Sequence, residues 1–187
     1  MRTRSLIKNN SKSRAIILHL DGDPKYARKA YSYYNNLNLK AIVENVPEYK
    51  QHMVINSLLN KYKPDILVTT GHDLMIKKGQ GFFDINNYKN SKYFASVVRK
   101  ARKWNSNEDE FTIIAGACES FFEAIISEGA NFASSPGRIL IDYKDPLIVA
   151  NKVANTKRDS YVAINDIIPD LKEGYKSIGG TRARGKF

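Results

Sequence analysis

The stretch Asp65-Ile-Leu-Val-Thr-Thr-Gly-His72 is an apolar run that ends in a glycine and then a side chain able to do chemistry. The pattern returns at Phe111-Thr-Ile-Ile-Ala-Gly-Ala-Cys118. Short, β-branched-rich runs bounded by turn residues read as strands, and runs that do not alternate with polar residues read as strands buried on both faces. Working outward, residues 14–20 (Arg-Ala-Ile-Ile-Leu-His-Leu), 39–43 and 138–142 are three further candidate strands. Helical patterns separate them. One starts at Asp23-Pro24, an N-cap followed by a first-turn proline, and runs to about residue 34; a second covers 46–62 and stops at Lys63-Pro64; others cover 91–104, 119–128 and 146–153. This alternation predicts an α/β fold: a three-layer α/β/α sandwich with a mostly parallel, flavodoxin-like sheet, because right-handed crossovers lay helices on both faces. In such sheets the functional loops follow the carboxyl ends of the strands.

A chain of 187 residues with 42 % hydrophobic and 11 % aromatic residues fits one folded core and is too apolar for a disordered chain. Its apolar runs are far shorter than the ~20 residues that span a bilayer, and no signal-peptide pattern follows Arg14. The expectation is a cytoplasmic protein with no membrane partner. The net charge of +11 is unevenly placed: residues 1–14 hold five cations and no acid, residues 172–187 five cations and one acid, and residues 15–171 are near balance. Charge therefore divides the chain into a basic N-terminal arm (1–14), an α/β domain (15–171) and a basic C-terminal tail (172–187). Blocks of like charge at chain ends read as solvated arms, which makes nucleic acid an unlikely partner. A non-enzymatic binding domain with basic arms for nucleic acid or acidic components stays open as the alternative reading.

Cys118 is the single cysteine, which excludes an internal disulfide and a multi-cysteine zinc site, so no metal is expected. A lone cysteine is either an inert core residue or a nucleophile. If the strands ending in His72 and Cys118 lie side by side, thiol and imidazole share one rim, where the ring can take the thiol proton. Cys118 also opens a predicted helix, whose N-terminal amides would lower the thiol pKa; amides at Gly116, Ala117 and Asp73 are candidates for an oxyanion hole. All three histidines precede Cys118, which rules out the order cysteine then histidine within this chain. His19 lies inside a strand and reads as a hydrogen-bonded structural residue, and His52 as a mid-helix surface or packing residue.

An apolar block ending in His followed by one ending in Ala-Cys resembles the caspase-like group of cysteine proteases. A closer resemblance is to the YabG family of sporulation-specific proteases. It rests on His-Leu-Asp-Gly-Asp-Pro (19–24), Lys-Pro-Asp-Ile-Leu-Val (63–68), Thr-Gly-His-Asp (70–73) and Asn-Ser-Lys-Tyr-Phe (90–94). Ala-Gly-Ala-Cys-Glu-Ser (115–120), Gly-Ala-Asn-Phe-Ala-Ser-Ser-Pro (129–136) and Ile-Gly-Gly-Thr-Arg (178–182) extend it. The resemblance implies a caspase-like fold and a cofactor-free cysteine endopeptidase with Cys118 as nucleophile and His72 as base. It further implies action on spore coat and related precursor proteins in the mother cell of a sporulating bacterium, and cleavage near arginine. One departure is Asp73, where the wider group carries a glycine after the histidine.

A guanidinium pocket needs a carboxylate. Asp21, Asp23, Asp73 and Glu119 lie near the predicted rim, each with a plainer role open to it: turn residue, helix cap, loop structure and first-turn acid respectively. Residues 77–90 form a long connection that could grip substrate. Both termini hold arginines among small residues, a pattern open to self-cleavage if the segments are flexible.

Overall fold

The computed structural model describes residues 15–187. The basic arm at 1–14, and self-cleavage within it, lie outside the described residues.

In chain order the elements are β1 (Ile16–Asp21), α1 (Pro24–Asn36), β2 (Lys40–Asn45), α2 (Glu48–Tyr62), β3 (Ile66–Thr70), α3 (Ser91–Trp104) and β4 (Thr112–Ala115). They continue with α4 (Phe122–Ser127), β5 (Phe132–Ser134), α5 (Asp145–Asn155), β6 (Tyr161–Ala163), α6 (Ile164–Ile167), β7 (Ile178–Gly180) and β8 (Arg182–Arg184). The main sheet has the order β2-β1-β3-β4-β5-β7. Its first five strands are parallel and β7 closes the edge antiparallel to β5. β6 and β8 form a separate antiparallel pair. The fold is the expected α/β sandwich.

The period-two geometry of a strand divides the apolar residues between two cores. Ile17, Ile66, Val68, Ile114 and Phe132 face one side, where Ala30 and Tyr34 of α1 and Leu147, Ala150 and Val153 of α5 cover them. Leu18, Leu20, Leu67, Ile113 and Ala115 face the other, under Ile55 and Leu59 of α2, Phe94, Val97 and Val98 of α3, and Ile125 of α4. Each large side chain so buried contributes about 1.5–3 kcal/mol. Their combined effect holds the strand ends, and hence the rim loops, in fixed register.

Three expectations are corrected. The fifth strand is Phe132–Ser134, and residues 138–142 are a loop, with Leu140 74 % exposed. Ser135 and Arg138 take positive φ values of 62° and 54°, which turn the chain out of the sheet after three residues. No helix starts at Cys118: α4 begins only at Phe122, because Glu119 adopts φ 54° and breaks the helical path. Residues 172–187 are not a solvated tail. They supply β7 and β8, with Ile178, Ala183 and Lys186 buried, and the Lys186 ammonium donates 2.7 Å to the Asp109 carbonyl. Apolar residues interleaved among the cations let this segment pair with β5 and β6, so the arginines at 182 and 184 sit in a β ladder and not on a loose arm.

Candidate active site

The chain leaves β1 for β2 on one side of the sheet and returns to β3 on the other, so the carboxyl ends of β1 and β3 form the topological switch point. Three loops meet there and beside it: Asp21-Gly22-Asp23 after β1, Gly71-His72-Asp73 after β3, and Gly116-Ala117-Cys118 after β4. Between the first two lies the carboxylate of Glu48, from the first turn of α2. A Cβ on Gly22 would come within 2.2 Å of the Glu48 carboxyl group, and one on Gly71 within 2.4 Å. Two glycines thus make room for one acid, which accepts the His72 backbone N–H at 2.7 Å. Gly116, at φ 104°, turns the third loop toward the same place.

His72 and Cys118 line one cleft of about 90 Å³, together with Asp21, Tyr26, Ile141 and Tyr143. No hydrogen bond joins the two side chains, and each has its own partners. The His72 side chain is 58 % exposed; its Nε2 lies 2.8 Å from Asp23 Oδ2, and its ring stands edge-on to Tyr26 with centroids 5.9 Å apart. That hydrogen bond is the main reason the Asp23 carboxyl is held below its usual pKa. The Cys118 sulfur is half-buried and receives the Ile141 backbone N–H at 3.3 Å. Burial pushes the thiol pKa up, while the Ile141 amide acts in the opposite direction. The lowered thiol pKa expected from a helix N-terminus is therefore not found, since that helix starts four residues later.

The four candidate carboxylates separate cleanly. Asp21 lines the cleft, 5 % exposed, accepting from Thr70 Oγ1 at 2.9 Å and from the Asp23 amide at 2.8 Å. Asp23 caps α1 through Oδ1, which accepts from the Lys25 and Tyr26 amides, and turns Oδ2 to His72. Asp73 is buried and its oxygens are bonded within the protein: Oδ1 accepts from the Asn90 and Leu74 amides, and Oδ2 from the Ser91 and Ser120 hydroxyls at 2.5 and 3.0 Å. Burial raises its pKa against the pull of those bonds. Glu119 is buried as well, bonded to Lys78 Nζ at 2.6 Å and to the Met75 amide at 3.2 Å. Internal partners hold oxygens of all four acids, and what separates them is position: Asp21 lines the cleft, whereas Asp23, Asp73 and Glu119 do not.

Two of the three oxyanion candidates are likewise committed elsewhere. The Gly116 amide extends the β3–β4 ladder to Thr69 O at 3.0 Å, and the Ala117 amide donates to Ser120 Oγ at 2.9 Å. His19 is the structural residue the sequence indicated, bridging Tyr34 Oη at 3.0 Å and Thr70 Oγ1 at 2.8 Å. His52 stacks on Tyr93 across α2 and α3. The 77–90 connection is braced by the Met75–Tyr88 bridge and by Asn87, whose side chain bonds the backbone at Lys77 and Gln80.

Sequence reasoning missed Glu48, Ile141, Tyr26 and Tyr143. Only Glu48 carried a local signal, an acid in the first turn after Pro47, and that signal reads as a dipole partner. Among the described residues no helix is long and apolar enough to cross a membrane, and no three His, Cys, Asp or Glu side chains are grouped to hold a metal ion.

The molecule is thus a parallel α/β sandwich with a thiol and an imidazole facing one cleft beside its switch point. The family model for YabG peptidase U57 matches residues 2–187, and the chain belongs to that family. It is 39 % identical over 169 residues to the sporulation-specific protease YabG of Bacillus subtilis (strain 168), an alignment covering 90 % of this chain and 58 % of that protein. The chain therefore spans little more than half the length of that relative. The isolated REC domain of RcsB from Salmonella enterica serovar Typhimurium overlays more loosely, with a TM-score of 0.45 and 13 % identity over 77 % of this chain and 91 % of that chain.

Proposed function

We propose that this chain is a cysteine endopeptidase of sporulation that cuts spore coat and related precursor proteins near arginine, in the mother cell, with Cys118 as nucleophile and His72 as base. The observation that carries the reading is the common cleft: the single cysteine and an accessible imidazole emerge from adjacent parallel strands onto one surface.

With its pKa pushed up by burial, Cys118 rests as a thiol and needs a base when the scissile carbonyl arrives. His72 takes the Sγ proton as the sulfur adds to the carbonyl carbon. The resulting oxyanion is held by the backbone amides of Cys118 and Asp73, neither of which donates to a backbone acceptor of another residue among the described residues. The imidazolium then protonates the leaving amine as the C–N bond breaks, leaving a thioester on Cys118. Water attacks that thioester, His72 accepts its proton, and the proton passes to sulfur as the acid product departs. Asp21, the one candidate carboxylate that lines the cleft, supports selection of a cationic residue beside the cut bond.

Incubating wild type, Cys118→Ala and His72→Ala with a fluorogenic peptide amide ending in arginine tests this. Both variants are expected below about one-thousandth of the wild-type rate with unchanged thermal melting. Turnover retained in Cys118→Ala would overturn the mechanism.

A further inference from the structure

We infer that Asp23 is the positioning residue of the catalytic pair, holding the His72 ring so that Nδ1 alone is free to receive the thiol proton. The inference rests on the reading of His72 as base and adds a third member to it.

The geometry gives Asp23 two simultaneous tasks. Its Oδ1 accepts the Lys25 amide at 2.7 Å and the Tyr26 amide at 3.3 Å, the N-cap of α1. The Asp23 amide in turn donates to Asp21 Oδ1 at 2.8 Å. Fixed at both ends, the carboxylate has one direction left for Oδ2, and that direction meets His72 Nε2 at 2.8 Å. An ionised carboxylate only accepts hydrogen bonds, so Nε2 must carry the hydrogen. In the neutral ring Nδ1 then bears the lone pair, the state a base needs. The Glu48 carboxylate fixes the same residue from the other side through its backbone N–H, and the Tyr26 ring limits rotation of the imidazole. After proton transfer the negative charge of Asp23 stabilises the imidazolium. His72 therefore works as an oriented ring although it is largely exposed, a situation in which an untethered imidazole would sample several rotamers.

Asp23→Asn separates this role from the cap, because asparagine is an equally good N-cap. To keep the cap its carbonyl oxygen must face the Lys25 and Tyr26 amides, which turns Nδ2 toward His72. That group donates, so the ring must carry its hydrogen on Nδ1 and cannot accept the thiol proton there. The expected result on the arginine peptide amide is a kcat lower by about a hundredfold with little change in KM and unchanged melting temperature. The acid limb of the pH–rate profile, which a general base sets, should also move to lower pH, since a negative charge beside the imidazolium is lost. The other groups facing His72, namely Glu48, Asp21, Tyr26, Tyr143 and Cys118, are the same in both proteins. Asp23→Ser, which caps but does not reach the ring, should match Asp23→Asn in rate. A variant Asp23→Asn with wild-type kcat and profile, alongside an inactive His72→Ala, would overturn the positioning role and leave the peptidase reading intact. If the wild type fails to cut the peptide, the peptidase reading falls, and the ring ¹⁵N shifts of His72 decide the rest. Hydrogen on Nε2 in wild type and on Nδ1 in Asp23→Asn upholds the orientation by Asp23, and hydrogen on Nδ1 in wild type overturns it.

Discussion

The loops that end in His72 and in Cys118 are alike in sequence and opposite in physics. Each leaves a buried strand through a glycine, yet the first presents an exposed ring and the second a half-buried sulfur. The His72 loop is fixed by charge, with Glu48 on its backbone and Asp23 on its ring. The Cys118 loop is fixed by backbone contacts, with Ile141 N–H on the sulfur and the Glu119 amide bonded to Ile139 O at 3.0 Å. The exposed ring is held by an acceptor, whereas the sulfur on the same rim is partly shielded. Buried Asp73 joins the two, since it follows His72 directly and reaches Ser120, two residues beyond Cys118.

Cutting that joint should have the largest effect on stability. Asp73→Ala leaves two hydroxyls and two amides without their acceptor, and a loss of about 2–4 kcal/mol is expected in urea melts. An unchanged midpoint would show that the two loops are held independently. Gly71→Ala attacks the His72 loop alone. Its methyl group would meet Glu48 within 2.4 Å, so about 1–3 kcal/mol should be lost and the proposed peptidase activity with it, while Cys118 keeps its environment. Crystallographic or NMR comparison of the Cys118 loop in that variant checks the independence.

Asp73→Asn is the gentler probe. Its carbonyl can keep the two amides and its NH₂ can donate to the serine oxygens, so a change of about 1 kcal/mol or less is expected at neutral pH. Because burial raises the Asp73 pKa, the folded protein holds that proton more tightly than the unfolded chain. The Asp73 contribution to stability is therefore greatest below the unfolded value of about 3.9 and declines as pH rises through the folded value. Subtracting Asp73→Asn from wild type in melts between pH 4 and 7 should show a difference that moves against wild type as pH rises; a flat difference would contradict it. The smallest effect expected is on reactivity. Iodoacetamide should alkylate Cys118 several-fold more slowly at pH 7 than it does free cysteine, with a rate that climbs as pH rises toward the elevated thiol pKa. As the chain has one cysteine, intact mass reads this site alone.

Much of this arrangement was legible from the residues. Ile66–Thr70 and residues 112–115 read as buried strands because both faces are covered, and Ser91–Trp104 read as a helix because Phe94, Val97, Val98 and Ala101 fall on one face. Asp23 read as a cap and proved to be one. The errors share one origin. Residues 138–142 have a strand's apolar content, but their backbone pairs with the Cys118 loop and not with the sheet, and a three-residue β5 is too short to show a period. The charges at 172–187 looked like a tail because a sum of charges takes no account of Ile178 and Ala183 between them. Asp73, the nearest acid to His72 in sequence, is a buried staple, while Asp23, 49 positions away, holds the ring.

By itself the sequence determined the alternation of strands and helices, the two-sided burial of the central strands and the placing of His72 and Cys118 just beyond the ends of two strands, since these depend on hydrophobic period and local turn chemistry. Only the tertiary structure decided which acid serves which partner, because the wedge of Glu48 between Gly22 and Gly71, the reach of Asp23 to His72 and the cover of Ile141 over Cys118 join residues from separate loops, and a hydrogen bond depends on distance in space and not on separation along the chain.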